Sequence, residues 1–127
     1  MNSESRTVDT AARPMVELRA IVRLEMLNRV VHSLKEAGVP RITVGRVHSI
    51  GSGVDPAKVK LSYAEGSEYE EKGVVRIICS GKRCEMYTEL IARAARTGRN
   101  GDGIISIHPV LSITKIRTGA HGLEALA

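Results

Sequence analysis

Apolar residues in this chain change their repeat several times, and the order of those changes restricts the fold more than any other feature. Residues 16–23 (V-E-L-R-A-I-V-R) alternate apolar and polar before running apolar, as a strand half buried on one face would. Leu27, Val30, Val31, Leu34 and Ala37 then recur at helical spacing, and Gly38 with Pro40 ends that helix. Alternation returns through Ile42, Val44 and Val47, which predicts a second strand over 41–48. A polar, glycine-bearing connection follows over 49–71, and then an apolar strand at 73–79 interrupted by Arg76. Met86, Tyr87, Leu90, Ile91 and Ala94 form a second amphipathic helix that ends before Gly98. Residues 104–109 and 113–118 supply a fourth strand and a short final one.

The order β-α-β-loop-β-α-β-β predicts an α+β fold of the ferredoxin-like, split βαβ kind, with one antiparallel sheet and two helices covering a face. At 127 residues the chain is long enough for one core and not two. Residues 1–14 are polar and read as a flexible N-terminal tail ending at Pro14, with 15–127 as the folded domain. Val16, Leu18, Ala20 and Val22 share one phase of the first strand while Ile21 lies on the other, so both faces carry apolar groups. A homo-oligomer is the simplest cover for the second face. The 49–71 connection is long for so compact a domain, and loops of that kind are usually functional or disordered. Its ends are pinned by two strands, which suits a lever whose order depends on a ligand at its base.

Phe and Trp are absent and Tyr numbers 3, so the core must be aliphatic. The same scarcity removes the stacking platforms that single-stranded nucleic-acid binding uses, and nucleic acid is not an expected partner. A net charge of +5 favours an anionic ligand or surface. No run approaches the roughly 18 apolar residues of a membrane span. Two cysteines, Cys79 and Cys84, make no disulfide scaffold, which points to a reducing compartment and a cytoplasmic location.

Chemistry concentrates near the C-terminal end. Gly98, Gly101 and Gly103 crowd around Asp102 in A-A-R-T-G-R-N-G-D-G, a spacing that lets successive N–H groups turn toward one point as an anion-binding nest. Lys115 and Arg117 follow, two residues apart and so on one face of the predicted last strand. A backbone nest with paired cations suits a nucleotide's phosphates. The glycine segment also reads as a plain helix-to-strand turn, and the two cations as a solvated strand face.

These segments resemble the PII signal-transduction proteins, trimeric nucleotide sensors of nitrogen and carbon status. The strongest match is A-R-T-G-R-N-G-D-G, with I-R-T-G close behind and K-E-A-G-V-P-R-I-T-V and G-L-E-A-L in support; the resemblance runs over 16–126. It implies a homotrimer that binds ATP or ADP, with AMP a further candidate, in clefts between neighbouring subunits. The matching nucleotide positions are Thr43 and Gly51 near the loop base, Lys72 where the loop returns, and Ile78 beside the adenine. Gly101, Asp102 and Gly103 match the phosphate loop, and Lys115 and Arg117 match a pair that is normally two arginines. The loop from Ser49 to Glu71 corresponds to the T-loop, which docks onto a membrane transporter or a regulated enzyme. Departures set limits on what carries over. The lysine after G-D-G is Ile104 here, and the usual Arg-Gln at the T-loop base is Ser52 and Gly53. That glutamine helps hold magnesium with 2-oxoglutarate, so the usual ATP–Mg–2-oxoglutarate response is not expected, and 2-oxoglutarate and bicarbonate stand as candidate effectors with magnesium left open. The modified tyrosine of enteric members aligns with Glu65, while Tyr63 and Tyr69 lie off register, so uridylylation is not expected.

Other patterns are weaker. Arg93, Arg96 and Arg99 read as a solvated helix face rather than a nucleic-acid contact. Gly51-Ser52-Gly53 lacks the third glycine and the following helix of a dinucleotide fingerprint. Cys79 and Cys84 with His32, His48, His108 and His121 fit no zinc spacing, although a trimeric metal-binding protein of the same fold is the alternative reading. No catalytic constellation is evident, and the chain reads as a sensor and not an enzyme.

Overall fold

The alternating run becomes β1 (Met15–Arg23), one of the two central strands of the sheet. In this computed structural model residues 9–50 and 70–126 are described. After β1 come α1 (Leu27–Glu36), β2 (Thr43–Ser49), β3 (Glu70–Ser80), α2 (Gly81–Ala95) and β4 (Gly103–Pro109). The sheet order is β2-β3-β1-β4 and every neighbouring pair is antiparallel. This is the ferredoxin-like, split βαβ arrangement that the periodicity predicts.

Period-two geometry separates the two faces. Val16, Leu18, Ala20 and Val22 of β1 are at most 2% exposed and pack with Val75 and Ile77 of β3 beneath Val30, Leu34 and Ile91 of the helices. Each large aliphatic side chain buried this way contributes roughly 1.5–3 kcal/mol. The opposite phase brings Glu17, Arg19, Ile21 and Arg23 of β1 beside Ile78, Arg76, Val74 and Lys72 of β3 on the helix-free face. Thr43 and Val47 extend that face into β2 as partners of Arg76 and Lys72.

Helix ends follow their local chemistry. Gly38, at φ +87, lets its own N–H reach Lys35 O at 3.0 Å and the Val39 N–H reach Leu34 O at 3.1 Å. That pairing is a Schellman stop, closed by the apolar contact of Val39 with the helix end. No side chain caps the start of α2; the Gly81 N–H instead donates to Arg13 O at 3.1 Å. The donor is possible because glycine allows close approach: a Cβ at Gly81 would stand 1.9 Å from Thr10 O. Thr10–Ala12 thereby forms a 3-10 turn against α2. The tail expected over 1–14 is described only from Asp9 onward, where the Thr10–Ala12 turn touches α2.

One predicted element is corrected. Residues 113–118 do not form a strand; Thr114 makes an isolated bridge with His121, and the intervening residues form a tight turn. The turn is closed by Lys115 N to Ala120 O and Gly119 N to Lys115 O, both at 2.8 Å. Gly119 at φ +76 permits that reversal. The 49–71 connection lies almost wholly outside the described residues, as do Gly51, Tyr63, Glu65 and Tyr69.

Candidate functional site

The segment joining α2 to β4 is built around Asp102. Its carboxylate accepts from the Thr97 N–H at 2.8 Å, the Gly98 N–H at 2.9 Å and the Thr97 hydroxyl. Arg23, at the end of β1, donates to it from Nε at 3.0 Å and reaches Asn100 O at 2.6 Å. The Thr97 hydroxyl and N–H, then Arg23 and the Gly98 N–H, hold the Asp102 carboxyl well below the usual carboxylate range, against the opposing effect of desolvation. Gly98, Gly101 and Gly103 all take positive φ, at +86, +99 and +107. The spacing therefore does mark a left-handed, glycine-dependent loop, but the first two N–H donors of the predicted nest are taken by the loop's own aspartate.

Lys72 joins this cluster from β3. It is 6% exposed, the one charged side chain buried among the described residues. Its Nζ donates to Gly101 O at 2.5 Å and pairs with Glu70 at 2.9 Å. Lys72, Gly101, Asp102 and Gly103 are thus gathered at one end of the sheet.

Thr43, Ile78 and Lys115 meet elsewhere. They line a cavity of about 270 Å³ that also takes in Glu17, Arg41 and Arg76 and is closed by Ala125 and Leu126 from the final 3-10 turn (Gly122–Leu126). Glu17 accepts from Arg19 at 3.1 Å and from Arg76 at 2.9 Å. Burial pulls the Glu17 carboxyl upward, but its bonds to Arg76 and Arg19 outweigh that and leave it below the usual range. Arg117 lies in the exposed turn beyond Lys115 and outside this cavity, so the pair does not share a strand face. Gly51 is outside the described residues.

The predicted residues therefore form two groups on one helix-free sheet face. Lys72 and Ile78 are six residues apart on β3, which at about 3.3 Å per residue separates the groups by roughly 20 Å. Sequence reasoning missed Arg23, Glu70, Arg41 and Arg76, whose only signals are their positions at strand ends or in the polar phase of an alternation. Cys79 and Cys84 are buried free thiols, and desolvation, with Cys84 nearby, pushes Cys79 up to about 12. Among the described residues no three or more His, Cys, Asp or Glu side chains converge, and no helix is long and apolar enough to cross a membrane.

Comparison with known proteins identifies the family. The Nitrogen regulatory protein P-II family profile matches residues 15–120. Nitrogen regulatory protein P-II of Microchaete diplosiphon is 35% identical over 116 residues, covering 88% of this chain and all of that protein. Nitrogen regulatory protein GlnK2 of Haloferax mediterranei is 38% identical over 111 residues, covering 84% of this chain and 87% of that one. Among solved structures, Arabidopsis thaliana PII bound to citrate superposes with a TM-score of 0.72 at 26% identity, over 89% of this chain and 92% of its own. The likeness spans both residue groups and the elements that carry them, and the chain belongs to the P-II family of nitrogen regulatory signalling proteins.

Proposed function

We propose that this P-II protein senses adenine nucleotide, ATP or ADP with AMP as a third ligand, at sites completed between subunits of a homotrimer. The observation that carries the reading is the separation of the two groups along β3. One end offers an apolar wall at Ile78 with Thr43 and Lys115, suited to a base and its sugar. The other offers the Gly101–Asp102–Gly103 corner and Lys72, suited to phosphate. A neighbouring copy across the helix-free face would join one subunit's cavity to the next subunit's glycine loop. Arg117, exposed beside Lys115, would then reach phosphate instead of solvent.

Occupancy is passed to a partner through the 49–71 loop, whose two ends are Ser49 on β2 and Glu70 on β3, paired in the sheet. A ligand shifts that loop only by binding its alternative states with different affinity. The partner is a transporter or enzyme recognised by the loop, and the second effector is sought among 2-oxoglutarate and bicarbonate. The protein's role is regulatory, not catalytic.

Isothermal titration with ADP and then ATP, each with and without 2-oxoglutarate and bicarbonate, tests the reading. Binding near one nucleotide per subunit supports it. No nucleotide binding, together with stoichiometric copper or zinc in equilibrium dialysis, would favour the metal-binding alternative.

A further inference from the structure

Lys72 and Arg23 are the cations fixed at the glycine loop, cross-strand partners at the ends of β3 and β1. Arg23 is committed to the loop itself through Asp102 and the Asn100 carbonyl. Lys72 differs. One of its contacts, Gly101 O, belongs to the loop, and the other is the Glu70 carboxylate at 2.9 Å. The Glu70 side chain is 70% exposed while that of Lys72 is 8% exposed, so a surface carboxylate meets a buried, positioned ammonium. The Lys72 hydrogen bond and charge, with a smaller contribution from Arg23, hold the Glu70 carboxyl below its usual range, so it is anionic at neutral pH and feels both cations. Glu71, next in sequence, points elsewhere and faces Arg46 and His48.

Resting on the nucleotide reading above, we propose that Glu70 is an internal competitor: its carboxylate occupies the anion seat at Lys72, and a nucleotide phosphate must displace it to bind. The exchange is chemically matched, because carboxylate and phosphate oxygens accept the same ammonium hydrogen bond. It is also inexpensive, since the departing carboxylate is already largely hydrated and the incoming phosphate takes over the charge pairing of the buried ammonium. Displacement frees a side chain at the C-terminal end of the 49–71 loop, so phosphate occupancy at Lys72 and the position of Glu70 are mutually exclusive. Glu70 thereby links the seat to the segment that leads into it.

The test compares ADP with adenosine, which lacks phosphate, by calorimetry on the wild type, Glu70→Gln and Glu71→Gln. The expected result is ADP binding several-fold tighter in Glu70→Gln, adenosine binding unchanged, and Glu71→Gln like the wild type. Unchanged or weaker ADP binding in Glu70→Gln would overturn the proposal. An equal gain for ADP and adenosine would overturn it too, because the substitution would then act on the fold and not on the phosphate seat. If the wild type binds neither ligand, the nucleotide reading itself fails; if it binds ADP and Glu70→Gln gives no gain, only the competition fails.

Discussion

Arg23 and Asp102 are 79 residues apart in sequence and 3.0 Å apart in space, tying the end of β1 to the loop that enters β4. The pair closes the glycine loop onto the sheet, because the same carboxylate that receives Arg23 gathers the Thr97 and Gly98 N–H groups. Loop shape and strand end are therefore one unit.

Acid should loosen that unit. The Asp102 carboxyl titrates in the fold below its ordinary value of 3.8, and Glu17 below 4.5, so each stabilises the protein above its unfolded value. Their contribution is lost as pH falls through the lower folded values. Thermal melts between about pH 6 and pH 2 should show Tm falling below about pH 4, and more shallowly in Asp102→Asn, whose Tm at neutral pH is already reduced.

Two glycines in the same loop should respond differently to alanine. A Cβ at Gly103 would stand 1.7 Å from Ile21 O, so β1 and β4 would have to separate. At Gly98 the φ is +86 and nothing lies within 4 Å of the added atom. Urea unfolding should give a loss of about 1–2 kcal/mol for Gly98→Ala, the left-handed penalty alone. Gly103→Ala should lose more than about 4 kcal/mol or fail to fold.

The thiols should be inert. Cys84 is fully buried, and Cys79 is 5% exposed with its thiol pushed up to about 12, so a reagent reaches neither and Cys79 offers no thiolate at neutral pH. Ellman's reagent should titrate them only after denaturant is added; rapid reaction of the native protein would show that the β3–α2 junction opens.

Arg117 should separate binding from stability. It is exposed in the turn between Thr114 and His121, so Arg117→Ala should leave Tm unchanged. A charged hydrogen bond to phosphate is worth about 1.5–3 kcal/mol, which predicts roughly 10- to 100-fold weaker ADP binding by calorimetry. Unchanged affinity would remove Arg117 from the site.

The strands and helices were legible because each has one buried face, and burial imposes a period on the sequence. Val16, Leu18, Ala20 and Val22 declare β1 this way, as Val30 and Leu34 declare α1. The final segment misled because its β-branched residues, Ile113, Thr114, Ile116 and Thr118, favour a strand, yet Ile116 is fully exposed and the chain turns back before Gly119. Thr43, Ile78 and Lys115, like Lys72 and the glycine triad, could be named from motif positions. Their division into two groups could not, since it depends on which loops and strands converge on each end of β3: the glycine loop and Arg23 at Lys72, Lys115 and the final 3-10 turn at Ile78. Lys72 carries no local mark of burial, and Arg23 and Glu70 acquire their roles only when β1, β3 and the loop converge. Those contacts are long-range and leave no periodicity to read.

The central claim is that one subunit's cavity and the next subunit's glycine loop make one nucleotide site. Complementation tests it most directly. Lys115→Ala impairs the cavity group and Lys72→Met the loop group; each is purified alone, and the two are also refolded together, with ADP binding measured for all three samples. The account predicts little binding by either variant alone and recovered binding in the mixture, where some interfaces pair two intact groups. A mixture that binds no better than its parents would contradict a shared site and confine the nucleotide, if it binds, to a single chain.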